Sequence, residues 1–80
     1  MAIHPSLIAS DVASGRAVRM LYVNYKNEMR WYIVIPHSIR FGHTEFHPTN
    51  QWLMDGTDIE RNVTRTFAMQ DVRDWGPYAV

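Results

Sequence analysis

RAVRMLYVNYKNEMRWYIVIP, residues 16–36, is two apolar runs around one polar turn. Both runs are rich in β-branched and aromatic residues and contain no breaker before Pro36, which is the signature of paired strands. Successive side chains of a strand point to opposite faces. Val18, Met20 and Tyr22 therefore share one face of the first strand (16–25), and Arg19, Leu21 and Val23 the other. Lys26, Asn27 and Glu28 form the turn. In the second strand (29–36), Arg30, Tyr32 and Val34 oppose Trp31, Ile33 and Ile35. The alternation of Trp31, Ile33 and Ile35 suits a barrel interior, and we expect these residues in the core with Phe67 and Met69. Pro36 cannot donate to a ladder, so it marks a strand end, an edge or a bulge.

Outward from this hairpin, HPSLIASDVASG (4–15) reads as a short amphipathic helix. Pro5 suits its first turn, Leu7, Ile8 and Val12 fall at helical spacing, and Gly15 ends it in a left-handed conformation. Residues 37–50 read as a long connection, a length usually kept for function. A third strand follows at 51–56, a turn at 57–62 and a fourth strand at 63–69. Residues 70–75 fit a last strand or one helical turn, and 76–80 a tail. The expected fold is mainly β: one domain over 1–80, with a short N-terminal helix and a small, strongly bent antiparallel sheet of four to five strands. Closing such a sheet into a barrel removes its edges.

An 80-residue chain buries only about 60% of its unfolded surface, and this one has no cysteine to staple it. Small domains of this kind often gain stability by oligomerising. Formal net charge is zero, which argues against a tight, sequence-independent duplex DNA binder. Yet Lys26 is the sole lysine among eight basic residues, and the seven arginines point to an anionic ligand, because the guanidinium fork matches phosphate and carboxylate. No secretion signal and no apolar run near ~18 residues is present, so a cytoplasmic protein without a membrane span is expected.

FGHTEFHPTN (41–50) carries His43, Glu45 and His47 at every second position. Two His and a carboxylate form a plausible zinc or iron triad if the chain is extended, but Gly42 and Pro48 signal turns at both ends. The reading adopted has no metal and no cofactor. His43 or His47 sits on the rim of a ligand pocket, with local hydrogen bonds from Thr44 and Glu45 as the competing structural role. Catalysis is not expected: a Cys nucleophile, G-x-S-x-G, a glycine-rich phosphate loop and H-E-x-x-H are all missing.

Several pieces together resemble the WYL domain family. VRMLYVNYKNEMRWYIVIP is similar to its opening hairpin, QWLM to its aromatic–aromatic–Leu strand, and RTFAMQDVRDW to its closing segment. The FGHTEFHPTNQWL insert resembles a subset of small bacterial and phage members. These pieces span about residues 16–75. The three-residue signature itself is altered to Gln51-Trp52-Leu53, and no helix-turn-helix accompanies it. The resemblance implies a free-standing sensor half: an Sm-like barrel that binds nucleotides or short nucleic acids through Arg and aromatic residues. It points to Arg30, Trp52 and Arg65, then Tyr22; Arg40, Phe41, His43, Glu45 and His47, in and beside the 41–50 stretch, are further ligand-site candidates. The function it implies is a non-enzymatic, homo-oligomeric module that captures a nucleotide-like anion, in one version a phage-type sponge for an immune nucleotide signal. The alternative is a single-stranded nucleic-acid or protein-interaction module in transcriptional regulation.

Overall fold

The computed structural model describes residues 8–78. Helix α1 (Ala9–Ser14) leads into five antiparallel strands: β1 (Val18–Val23), β2 (Met29–Gly42), β3 (Gln51–Asp58), β4 (Val63–Ala68) and β5 (Val72–Pro77). A 3-10 turn, Met69–Asp71, joins the last two. The start of the predicted helix, with Pro5 and Leu7, lies outside the described residues. Gly15 ends α1 with φ 65°, as its position suggested. Trp75 anchors this helix, because its indole N–H donates to Asp11 Oδ2 at 2.8 Å.

The strands form one sheet in the order β4-β3-β2-β1-β5. It does not close into a barrel. Among the described residues no ladder joins β4 to β5, and both strands remain as edges. The sheet nevertheless curls until one corner meets. There the Ala68 N–H of β4 donates to the Tyr22 hydroxyl of β1 at 2.9 Å. Only the three residues Met69–Asp71 separate β4 from β5, and β5 pairs with β1.

The second departure from expectation is the length of β2. Its 14 residues run through Gly42, so residues 37–42 are strand and the connection to β3 shrinks to 43–50. A register shift between Pro36 and Ser38 makes this possible. Pro36 sits at the bulge, where the ladder loses a donor anyway. Before the bulge Pro36 faces Gly56, and after it Ile39 faces Met54 and Phe41 faces Trp52. Opposed residues share a face, so Val34, Pro36, Ile39 and Phe41 all lie on the concave side.

The concave side holds the core: Ile8, Val18, Met20, Tyr22, Tyr32, Val34, Met54, Phe67, Met69 and Val72. Phe67 and Met69 lie there as expected. Trp31, Ile33 and Ile35 do not. They line the opposite face, and Trp31 remains 49% exposed with the Arg19 guanidinium 5.0 Å from its ring centroid. Both faces of β2 are apolar, so alternation alone could not choose between them. Pairing with β1 chooses, because Tyr22 and Met20 oppose Arg30 and Tyr32.

Gly56 is required by the close packing of β3 on β2. A Cβ there would fall 2.6 Å from Val34 Cγ1 and 3.0 Å from the Ile35 carbonyl oxygen. Gly56→Ala is expected to cost about 1–3 kcal/mol through overpacking, read as a lower urea midpoint at unchanged slope. An unchanged midpoint would show that the β2–β3 packing yields without strain.

Candidate functional site

In an up-and-down sheet the β1–β2 and β3–β4 turns emerge at the same end. Here each is shaped by a side chain that caps its own backbone. Asn24 Oδ1 accepts the N–H groups of Lys26 and Glu28, both at 3.0 Å, and Asn27 takes φ 60°. Asp58 Oδ1 accepts the N–H groups of Glu60 and Arg61, both at 3.2 Å, and Asn62 takes φ 55°. These are Asx-type turns, in which a short polar side chain replaces a backbone acceptor.

Asp58 is fully buried, the one charged residue of the described chain that is. Its second oxygen, Oδ2, accepts Arg65 Nε at 3.0 Å and Arg61 Nη1 at 3.2 Å. Burial alone would push its carboxyl up. The Arg61 backbone N–H and the two guanidinium bonds outweigh that cost and hold it below the ordinary carboxylate range. One carboxylate thus fixes two guanidinium groups side by side. Arg65 opposes Gly56 and Arg30 opposes Tyr22, which places both arginines on the concave face.

A polar recess of about 140 Å³ opens there. Lys26, Arg30, Arg61 and Arg65 line it, with Glu28 and Tyr32. Arg30 Nη2 lies 3.6 Å from Glu28 Oε1. Beside it is an apolar cavity of about 220 Å³, walled by Tyr22, Tyr25, Phe46, His47 and Phe67. Asn24, Tyr25 and Arg65 border both spaces. Tyr22, Tyr32 and Phe67 form the floor, packed edge to face with centroids 5.0–6.0 Å apart. The Tyr25 and Phe46 rings stand at the rim, 87% and 81% exposed. Chemically, the cleft offers donors for an anion next to ring surfaces for a flat apolar group.

Of the residues singled out by sequence, the cleft gathers Tyr22, Arg30, Arg65 and His47. The Tyr22 hydroxyl accepts the Ala68 N–H at the sheet corner, and its ring borders the cavity. The remaining five lie elsewhere. Arg40 is on the opposite face, with Nε 2.8 Å from Asp55 Oδ2. Phe41 and Trp52 pack on each other, centroids 5.3 Å apart, and line neither space. His43 Nδ1 bonds Asn50 Oδ1 at 3.0 Å, and Glu45 is exposed. The segment 43–47 is not extended: Thr44 and His47 exchange backbone hydrogen bonds, and the His47 N–H also meets Thr44 Oγ1. That turn destroys the alternate-residue placement a triad needs, and among the described residues no group of three His, Cys, Asp or Glu is placed to hold a metal.

Sequence reasoning missed Asp58, Arg61, Lys26, Tyr25 and Phe46. The available signal was topological. Turns 24–28 and 59–62 share one end of the sheet, so their charged residues converge with Arg30 and Arg65. No family model matches the chain, and no curated protein matches it.

Three groups set the pH response. Asp58 and Asp55 have depressed pKa values. Asp55 owes this first to its hydrogen bond from Arg40, which outweighs its burial. Their stabilisation is complete above the unfolded carboxylate pKa of about 3.9 and is lost as pH falls through the lower folded values. Burial pushes the Tyr22 phenol up to about 12. Its contribution is complete below the unfolded value of about 10 and is lost as pH rises through the folded one. Asp58→Asn is expected to lower stability at pH 7 by about 1–3 kcal/mol and to make the acid limb shallower, measured by urea unfolding at pH 7 and pH 3. An acid limb as steep as the parent's would assign that limb to other carboxylates.

Proposed function

We propose that the protein is a non-enzymatic binding module for a nucleotide-like anion, held with its charged group among Lys26, Arg30, Arg61 and Arg65 and its ring against Tyr22, Tyr25, Phe46 and Phe67. The observation that carries this reading is the adjacency of the two spaces. A cationic recess and an aromatic cavity share Asn24, Tyr25 and Arg65, so a ligand with a phosphate and a base can occupy both at once. Together the spaces match the small end of ordinary ligand sites. The sequence resemblance to the sensor half of the WYL family supports the same reading through Arg30 and Arg65, although Trp52, to which it also pointed, lines neither space.

A module of this kind acts by holding its ligand. It either sequesters a nucleotide signal, as a phage-type sponge would, or presents the bound state to a partner in trans. Two unpaired sheet edges, β4 and β5, favour assembly into a homo-oligomer, since exposed edges tend to find partners.

Titration calorimetry with a nucleotide panel tests the site. Lys26→Ala and Arg30→Ala should each weaken binding roughly tenfold or more, the worth of a charge-assisted hydrogen bond. Trp52→Ala and Arg40→Ala should leave it unchanged. Affinity should fall only modestly between low and physiological salt, whereas strand binding falls steeply. A panel with no binder, or loss of affinity at Trp52 and not at Arg30, would sink the assignment.

A further inference from the structure

We infer that the cleft selects a terminal phosphate monoester, the group of a nucleoside monophosphate, over a phosphodiester of the same nucleoside. The inference rests on the binding-module reading above and adds the charge state and connectivity of the ligand's anionic end.

The charges within the recess do not balance. Four cations line it, and two carboxylates face them. Glu28 sits against Arg30. Asp58 offers one negative charge to two guanidinium groups, both on the same oxygen, so one of those positive charges has no counterpart. Among the described residues Lys26 has no carboxylate within ion-pair distance, and its ammonium lies 5.8 Å from the Tyr25 ring centroid. The recess therefore presents two uncompensated positive charges. A phosphate monoester carries close to two negative charges at neutral pH and three terminal oxygens. A diester carries one charge and two free oxygens.

The donors fit that count. Arg65 uses Nε and Arg61 uses one Nη on Asp58, which leaves the other guanidinium N–H groups of each free for a ligand. Because the buried carboxylate orients both forks, they are already placed to donate to one oxygen each, and Arg30 and Lys26 supply further donors. The ring cavity borders the recess at Arg65 and Tyr25, so a phosphate bound there carries its nucleoside into the cavity.

The test compares three ligand sets by calorimetry at constant ionic strength: the four common ribonucleoside 5′-monophosphates, their 5′-methyl phosphate diesters, and their 5′-sulfate esters. The sulfates keep three terminal oxygens but carry a single charge. At least one monophosphate is expected to bind about tenfold or more tightly than both analogues, a gap of about 1.4 kcal/mol or more. Lys26→Ala should shrink that gap severalfold. Diester affinity equal to the monophosphate's would overturn the selectivity and leave the binding-module reading standing. A sulfate as good as the phosphate would overturn the charge argument. If no member of any set binds, while the protein remains folded, both readings fall together.

Discussion

The hydrogen bond from the Ala68 N–H to the Tyr22 hydroxyl ties an edge strand to the middle of the sheet. The aromatic part of the concave side is assembled at this corner. The bond holds β4 over β1 there, and so brings Phe67 onto Tyr22 and Tyr32. That aromatic floor is what Arg30 and Arg65 flank. Burial makes the bond robust: the phenol ionises only near pH 12, far above its usual range. An open sheet thereby acquires much of the curvature of a barrel without its closing ladder. The alternative, a flat five-stranded sheet, would leave the arginines of β2 and β4 on a surface and not around a cleft.

Asp58 supplies the complementary constraint. A fully buried carboxylate is costly unless its lone pairs are satisfied. Here two backbone N–H groups and two guanidinium groups satisfy it. The same four bonds shape the β3–β4 turn and orient two side chains of the site, so local structure and ligand geometry are set by one residue. Arg65 and Arg61 remain 39% and 46% exposed on their side chains, which keeps their outer N–H groups available.

Much of the fold was legible in the sequence because strand pairing is local. The 16–36 hairpin, its turn and the grouping of Val18, Met20 and Tyr22 on one face of β1 follow from alternation and turn chemistry. What alternation could not settle was β2, whose two faces are equally apolar; only its partner strands assign Trp31 outward and Tyr32 inward. The extension of β2 to Gly42 was hidden by Pro36, a residue that reads as an end until a bulge absorbs it. The site was legible in part. Arg30, Arg65, Tyr22 and His47 meet in the cleft, whereas Phe41, Trp52 and Arg40 belong to the other half of the long hairpin. Asp58 had no sequence signal of its own, since a buried aspartate and an exposed turn aspartate look alike in a one-dimensional string.

The bulge at Pro36 has a consequence for how this chain tolerates change. It joins two stretches of β2 whose inward positions are even-numbered before it and odd-numbered after it. The strand therefore behaves like a text with one frame shift at its centre. Loss of the one extra residue between 36 and 38 would remove the bulge and leave a single unbroken alternation, with Ile39 and Phe41 still inward and Arg40 still outward. The bulge is thus the point in β2 where a one-residue deletion keeps the faces of both stretches, whereas a deletion within either paired stretch shifts its register and turns side chains to the other face.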